Sequence, residues 1–94
     1  MRIRGLIWFD DFVEKIISKH DVYPEEVEQV FLNRPRFRFV EKGIRKGEDV
    51  YAAMGRTDSG RYLIVFFILK RDQRALIISA RQMNLQERRH YEKR

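Results

Sequence analysis

Residues 48–82 read EDVYAAMGRTDSGRYLIVFFILKRDQRALIISARQ, and their interpretation decides the fold. Polar breaks at Asp58-Ser59 and Arg71-Asp72 divide the stretch into three apolar runs. Three such runs, with turn residues between them, are the pattern of a three-stranded antiparallel meander. The central run, Tyr62 to Leu69, is eight apolar residues without a gap. Periodicity alone leaves a buried strand and a buried helix both open for such a run. Its β-branched and aromatic residues, and the turn signals at both ends, favour the strand. Two-residue turns at the breaks then predict a register with Arg56 opposite Arg61, and Tyr62 between Gly55 and Arg81. Side chains alternate between the faces of a sheet. That puts Leu63, Val65, Phe67, Leu69, Met54, Ala52, Ile78 and Ala80 on an aliphatic face suited to packing under helices. Tyr62, Ile64, Phe66, Tyr51, Ser79, Ile77 and Arg81 fall on the other face, a floor for a ligand, a nucleic acid or a partner protein.

The helices come from the N-terminal side. Arg2 to Trp8 alternates loosely and predicts a short opening strand. Asp11 with Glu14 forms a capping-box pattern, and Phe12, Val13, Ile16 and Ile17 follow at helical spacing. This helix ends near Lys19-His20, cations at its negative pole. Pro24-Glu25-Glu26 starts a second helix, with proline where no N–H is needed and acids at the positive pole. Val27, Val30 and Phe31 form its buried stripe, and Asn33-Arg34-Pro35 stops it. Helices this short need the aliphatic sheet face to be stable. Arg36 to Glu41 alternates so that Phe37 and Phe39 point one way and Arg36 and Arg38 the other, a half-buried strand with a basic outer side. Beyond the meander, Asn84 and Glu87 form a capping box for a short basic C-terminal helix. The fold class is therefore α+β: an antiparallel meander sheet packed on one face by two N-terminal helices, plus the C-terminal helix.

With 94 residues the chain is one domain. It has no cysteine, so a disulfide framework and a cysteine-based metal site are excluded. The N-terminus lacks the form of a signal peptide, and no run reaches the roughly 18–20 apolar residues of a membrane span. A soluble cytoplasmic protein is expected. The net charge of +6 is unevenly distributed. Residues 1–33 hold four Lys/Arg against seven Asp/Glu, and residues 34–94 hold sixteen against seven. A basic sheet and tail behind an acidic helical part is the footprint of a phosphate-backbone binder, and also of a merely solvated basic surface.

No Gly-rich phosphate loop, HExxH or nucleophile elbow is present. The two histidines are seventy residues apart, and no carboxylate cluster suggests a two-metal nuclease. Neither a metal nor a cofactor is expected. Bases and phosphate binders remain: Lys19-His20, Arg56 and Arg61 flanking one turn, Arg81 at the end of the last strand, and Arg88, Arg89, His90 and Tyr91. Metal-free RNA cleavage uses such parts. A base deprotonates the 2′-OH, arginines stabilise the charge on the phosphorane-like transition state, and an acid protonates the leaving 5′ oxygen. Bidentate arginine suits phosphate better than lysine does. Structural readings stand beside these: His20 as a helix C-cap, Arg56 and Arg61 as flanks of a solvated turn, Tyr91 as an anchor of the last helix. Two cations opposite each other on a sheet repel, so an anion or an acid such as Glu87 is expected between Arg56 and Arg61.

Taken in order, Trp8-Phe9-Asp10, Lys19-His20-Asp21-Val22, Glu25-Glu26-Val27, Phe31, Gly55-Arg56-Thr57, Gly60-Arg61, Ile77-Ile78-Ser79-Ala80-Arg81 and Glu87-Arg88-Arg89 with Tyr91 resemble the BrnT-type toxins. The resemblance implies a RelE-like fold and a ribonuclease that cleaves RNA and arrests translation; joined to the metal-free chemistry above, it makes a metal-independent endoribonuclease the expectation. It also implies a ribbon-helix-helix antitoxin that masks the toxin and, with it, binds operator DNA. Position by position, the family's basic motif residues fall on Lys19, His20, Arg56, Arg61 and Arg81; catalysis is expected of His20, Arg56, Arg61 and Arg81, and RNA binding of Lys19, Arg88, Arg89 and Tyr91. After Lys-His the family usually has glycine; this chain has Asp21. A non-catalytic module that binds RNA or a partner through its basic face is the alternative, as is an inactive toxin kept for antitoxin binding.

Overall fold

The computed structural model of the chain describes residues 1–93. The elements run β1 (Gly5–Ile7), α1 (Asp10–His20), α2 (Pro24–Leu32), β2 (Arg36–Glu41), β3 (Val50–Arg56), β4 (Tyr62–Leu69), β5 (Arg74–Gln82) and α3 (Leu85–Glu92). The strands form one sheet in the order β1-β5-β4-β3-β2, with β1 parallel to β5 and every other pair antiparallel. The expected α+β arrangement is present, and the meander occupies its centre.

The register departs from expectation by one residue between β3 and β4 and by two at the end of β5. Arg56 pairs with Tyr62, not Arg61, and Arg81 pairs with Ile64. The β3–β4 loop holds three residues, because the Thr57 N–H donates to the Arg61 carbonyl at 2.9 Å and Gly60 takes φ +94°. Glycine reaches that angle without the clash a side chain would meet. The β4–β5 loop repeats the device with Gln73 at φ 70°, and the register shifts again between Phe66 and Phe67. Loop length sets register, so the faces are re-dealt. Ala52 and Met54 leave the helix-covered face, and Tyr51 and Ile77 join it.

That face carries Leu63, Val65, Phe67, Ala53, Ala75, Ile77 and Ala80, buried together with Ile16, Val22, Val27 and Val30. Helix α1 packs over β5, and α2 over β3. Gly55 permits the second contact, since a Cβ there would lie 3.1 Å from Val30 Cγ1. Each fully buried aliphatic or aromatic side chain contributes about 1.5–3 kcal/mol. This burial stabilises helices of 11 and 9 residues, which are too short to persist alone. On the opposite face Ala52, Met54 and Ile64 form a smaller core under Phe66, Met83 and Tyr91.

The first helix does not use the expected Asp11 cap. Phe9 is its N-cap, and Asp10 and Asp11 both lie in the first turn, where carboxylates favour the dipole. At the other end Asp21 sits in the left-handed region at φ 53°. Its N–H donates to the Ile17 carbonyl at 3.1 Å, and that of Val22 donates to Ile16 at 3.1 Å. Glycine is the residue for this position, and a carboxylate at a helix C-terminus opposes the dipole. Asp21→Gly is expected to raise stability by about 0.5 kcal/mol, part of the gain being offset by the freer unfolded chain. Urea unfolding of the two chains checks it.

Candidate nucleic-acid interface

The β3–β4 hairpin separates the cations that the sequence places side by side. Alternation past the Arg56–Tyr62 pair turns Arg61, opposite Thr57, toward the helices, while Arg56 faces α3. Arg61 Nη1 donates to both carboxylate oxygens of Glu26 at 2.8 Å and to the Asp21 carbonyl at 2.9 Å. Glu26 also accepts from the Tyr23 N–H at 3.1 Å. Arg61 therefore clamps the end of α1 and the start of α2 to the hairpin. Asn33 Nδ2 adds bonds to the Arg56 carbonyl (3.0 Å) and Asp58 Oδ1 (2.9 Å), and the Asp58 N–H donates to Gln29 Oε1 at 3.0 Å. Lys19 and His20, both exposed in the last turn of α1, belong to this helix side. The expected opposition of Arg56 and Arg61 across a shared anion is absent. Arg61 has a carboxylate of its own, and Arg56 lies on the other face.

Arginine and aromatic side chains meet on the α3 side. Arg36 and Arg38 of β2 share this face with Met54 and Ala52, Arg56 with Tyr62, and Arg81 with Ile64. The guanidinium carbons of Arg88 and Arg56 lie 3.9 Å and 4.7 Å from the centre of the Tyr62 ring. That of Arg81 lies 5.6 Å from Phe66, and that of Arg36 lies 5.9 Å from Tyr91. Every guanidinium–ring pair among the described residues falls on this face. Tyr91 packs edge-on to Tyr62 at 6.0 Å and covers the small core, so it anchors α3. Among the described residues, Arg36, Arg38 and Arg56 have no carboxylate within ion-pair distance. Gly60 leaves room for one of them, since a Cβ there would lie 3.2 Å from Arg56 Nη2.

Arg81 is held by its neighbour. Its Nη1 and Nη2 donate to Glu87 Oε1 and Oε2 at 2.7 Å and 2.8 Å, so the acid expected between Arg56 and Arg61 instead holds Arg81. Glu87 also accepts from the Asn84 N–H at 2.9 Å, and Asn84 Oδ1 accepts from the Glu87 N–H at 2.8 Å. The expected capping box thus also docks α3 to β5. The Arg81 hydrogen bonds, then the Asn84 N–H and the charges of Arg81 and Arg38, hold the Glu87 carboxyl below its usual range, against the effect of burial. The same bonds raise Arg81. A depressed carboxyl stabilises the folded state above its unfolded value of about 4.3, and this contribution is lost as pH falls through the lower folded value. Protection of α3 amides in hydrogen exchange is expected to fall on acidification below that value. Glu87→Gln, costing about 1 kcal/mol for a partly exposed pair, is expected to remove the step.

Beside this pair, Arg38, Asn84, Glu87, Arg89, His90 and Lys93 border an open hollow of about 530 Å³ between β2 and α3. Arg38 was absent from the site expected by sequence, and His90 stood among its candidate bases without an assigned role. The Arg-Phe-Arg-Phe alternation could have placed Arg38, whereas His90 is tied to β2 only through the docking of α3. Of the expected residues, Arg56, Arg81, Arg88, Arg89 and Tyr91 come together on or around α3, and Lys19, His20 and Arg61 lie toward the other helices. Among the described residues no three His, Cys, Asp or Glu side chains converge as metal ligands, and no helix is long and apolar enough to cross a membrane.

Residues 8–87 match the sequence model of a family described as ribonuclease toxin, BrnT, of type II toxin-antitoxin system. The fold is similar to the crystal structure of the Brucella abortus ribonuclease toxin BrnT, with a TM-score of 0.64 and 17% identity over 85% of this chain and 96% of that one. No curated protein matches the chain.

Proposed function

The chain belongs to the BrnT family of ribonuclease toxins of type II toxin–antitoxin systems, and on that premise we propose that it is a metal-independent endoribonuclease that takes RNA on the α3 side of its sheet. The observation that carries this reading is the gathering on that face of all the guanidinium–ring pairs among the described residues. Single-stranded nucleic acid is held by such surfaces, with cations on the backbone and rings under the bases. Arg56 and Arg88, both over Tyr62, grip the scissile phosphate and stabilise charge as the 2′-OH attacks. Arg81 joins them when Glu87 releases it, and Arg36, Arg38 and Arg89 hold flanking phosphates. Arg61 supports the site through its clamp on Glu26 and Asp21. Cleavage of RNA arrests translation, and a ribbon-helix-helix antitoxin neutralises the toxin and binds operator DNA with it.

One observation favours the alternative of a non-catalytic binder: Arg81, expected to act on phosphate, is occupied by Glu87. The experiment that separates the readings incubates purified protein with RNA in excess EDTA and analyses the ends. Fragments with 2′,3′-cyclic phosphates are expected, and cleavage that requires added metal would rule this mechanism out. Binding without cleavage would leave the non-catalytic module. The proton carrier is identified by His20→Ala and His90→Ala compared in the same assay. Loss in the second places proton transfer on α3, and loss in the first places it at the α1 end of the hairpin.

A further inference from the structure

The sheet ends at β2, whose outer edge no element among the described residues pairs. Five of its six residues are exposed, among them Phe39 at 53% and Val40 at 40%. An open edge of this length presents unpaired N–H and C=O groups and is a template for another strand. The side chains along it have two characters. Phe37 and Phe39 lie on the helix side, where they pack tilted or edge-on against Phe31, Phe67 and Tyr51. Arg36 and Arg38 lie on the α3 side and have no carboxylate partner among the described residues. The register shifts after Phe39, the strand ends on the exposed acid Glu41, and beyond it Lys42, Arg45 and Lys46 restore positive charge.

From this arrangement we infer that the outer edge of β2 is the docking surface for an extended segment of a partner protein in which acidic and apolar side chains alternate. Such a segment adds a sixth strand to the sheet. The pleat sends its apolar residues to the side of Phe37 and Phe39 and its acids to the side of Arg36 and Arg38. A second copy of this chain fits poorly, because antiparallel pairing of β2 with itself sets arginine against arginine on one face. The acids of the added strand also neutralise Arg36 and Arg38 at the margin of the RNA surface, so docking there competes with RNA. The inference rests on the toxin reading only in taking this partner to be the antitoxin. The surface and its alternating ligand follow from β2 alone.

The test uses the full chain and labelled synthetic peptides of equal composition, TEVEVEVTS and TEEEVVVTS, followed by fluorescence anisotropy and amide exchange. The alternating peptide is expected to bind at least tenfold more tightly than the blocked one and to protect amides of β2. N-methylation of its alternate backbone nitrogens is expected to abolish binding with every side chain retained. The Arg36→Glu/Arg38→Glu protein is expected to lose the acidic peptide at least tenfold and to prefer TKVKVKVTS. Equal binding of the two acidic peptides, indifference to N-methylation, or protection confined to the helices would overturn the proposal. RNA cleavage is measured separately on the unsubstituted protein without peptide, so a failed nuclease assay and a failed docking test are told apart.

Discussion

Arg56→Ala is expected to lower the rate of RNA cleavage about 10²–10³-fold, the effect of removing one preorganised donor from a transition state that gathers charge. Arg56 is exposed at the end of β3 and has no carboxylate partner among the described residues, and its guanidinium lies 4.7 Å from the centre of the Tyr62 ring. Losing that ring contact costs about 0.5–1 kcal/mol of stability, too little to unfold a domain of 5–15 kcal/mol. Activity and stability thus separate at this residue. Arg56→Lys is expected to recover little, because an ammonium group cannot bridge two phosphate oxygens as a planar guanidinium does. Single-turnover cleavage and thermal unfolding of the three proteins make the comparison. Undiminished cleavage by Arg56→Ala would move the active centre off this face, toward His20 and Lys19.

Phe67→Ala is expected to destabilise the fold by about 4 kcal/mol, the largest effect of any single replacement considered for this chain. Phe67 is fully buried in the central strand. Its ring meets Phe31 of α2 at 5.5 Å, Phe37 of β2 at 6.0 Å and Tyr51 of β3 at 6.0 Å. Three other elements converge on this side chain of β4, so truncation leaves a cavity that none of them can close without giving up another contact. Phe67→Leu, which keeps most of the volume, is expected to lose roughly 1–1.5 kcal/mol. Urea titrations with a shared m-value measure both. A loss below about 2 kcal/mol for the alanine variant would mean that α2 and β2 slide inward to fill the space.

Much of this architecture is visible along the chain because its causes are local. Tyr62 to Leu69 is a strand because β-branched and aromatic residues run between turn signals. Pro24 starts a helix because its missing N–H is not needed there. Asn84 and Glu87 mark the last helix by a bond pattern spanning three residues. Even the two faces of β2 follow from a period of two. The failures arose where one residue changes a count. Gly60 and Gln73, at positive φ, lengthen both hairpin loops by a residue, and an irregularity in β5 shifts the pairing again. Each shift exchanges the partners of every residue beyond it.

From composition and pattern alone follow the α+β class, the places of the helices and strands, the basic sheet and tail, and the arginines and aromatics available to hold RNA. Which of those arginines have carboxylate partners was decided by the folded chain. Arg61 and Arg81 are matched by Glu26 and Glu87, while Arg36, Arg38 and Arg56 have no such partner among the described residues. The physical reason is distance along the chain. Alternation and capping act over a few residues, whereas Arg61 and Glu26 are 35 residues apart. Such a pair is fixed only when loop geometry sets the register and the helices dock on the sheet.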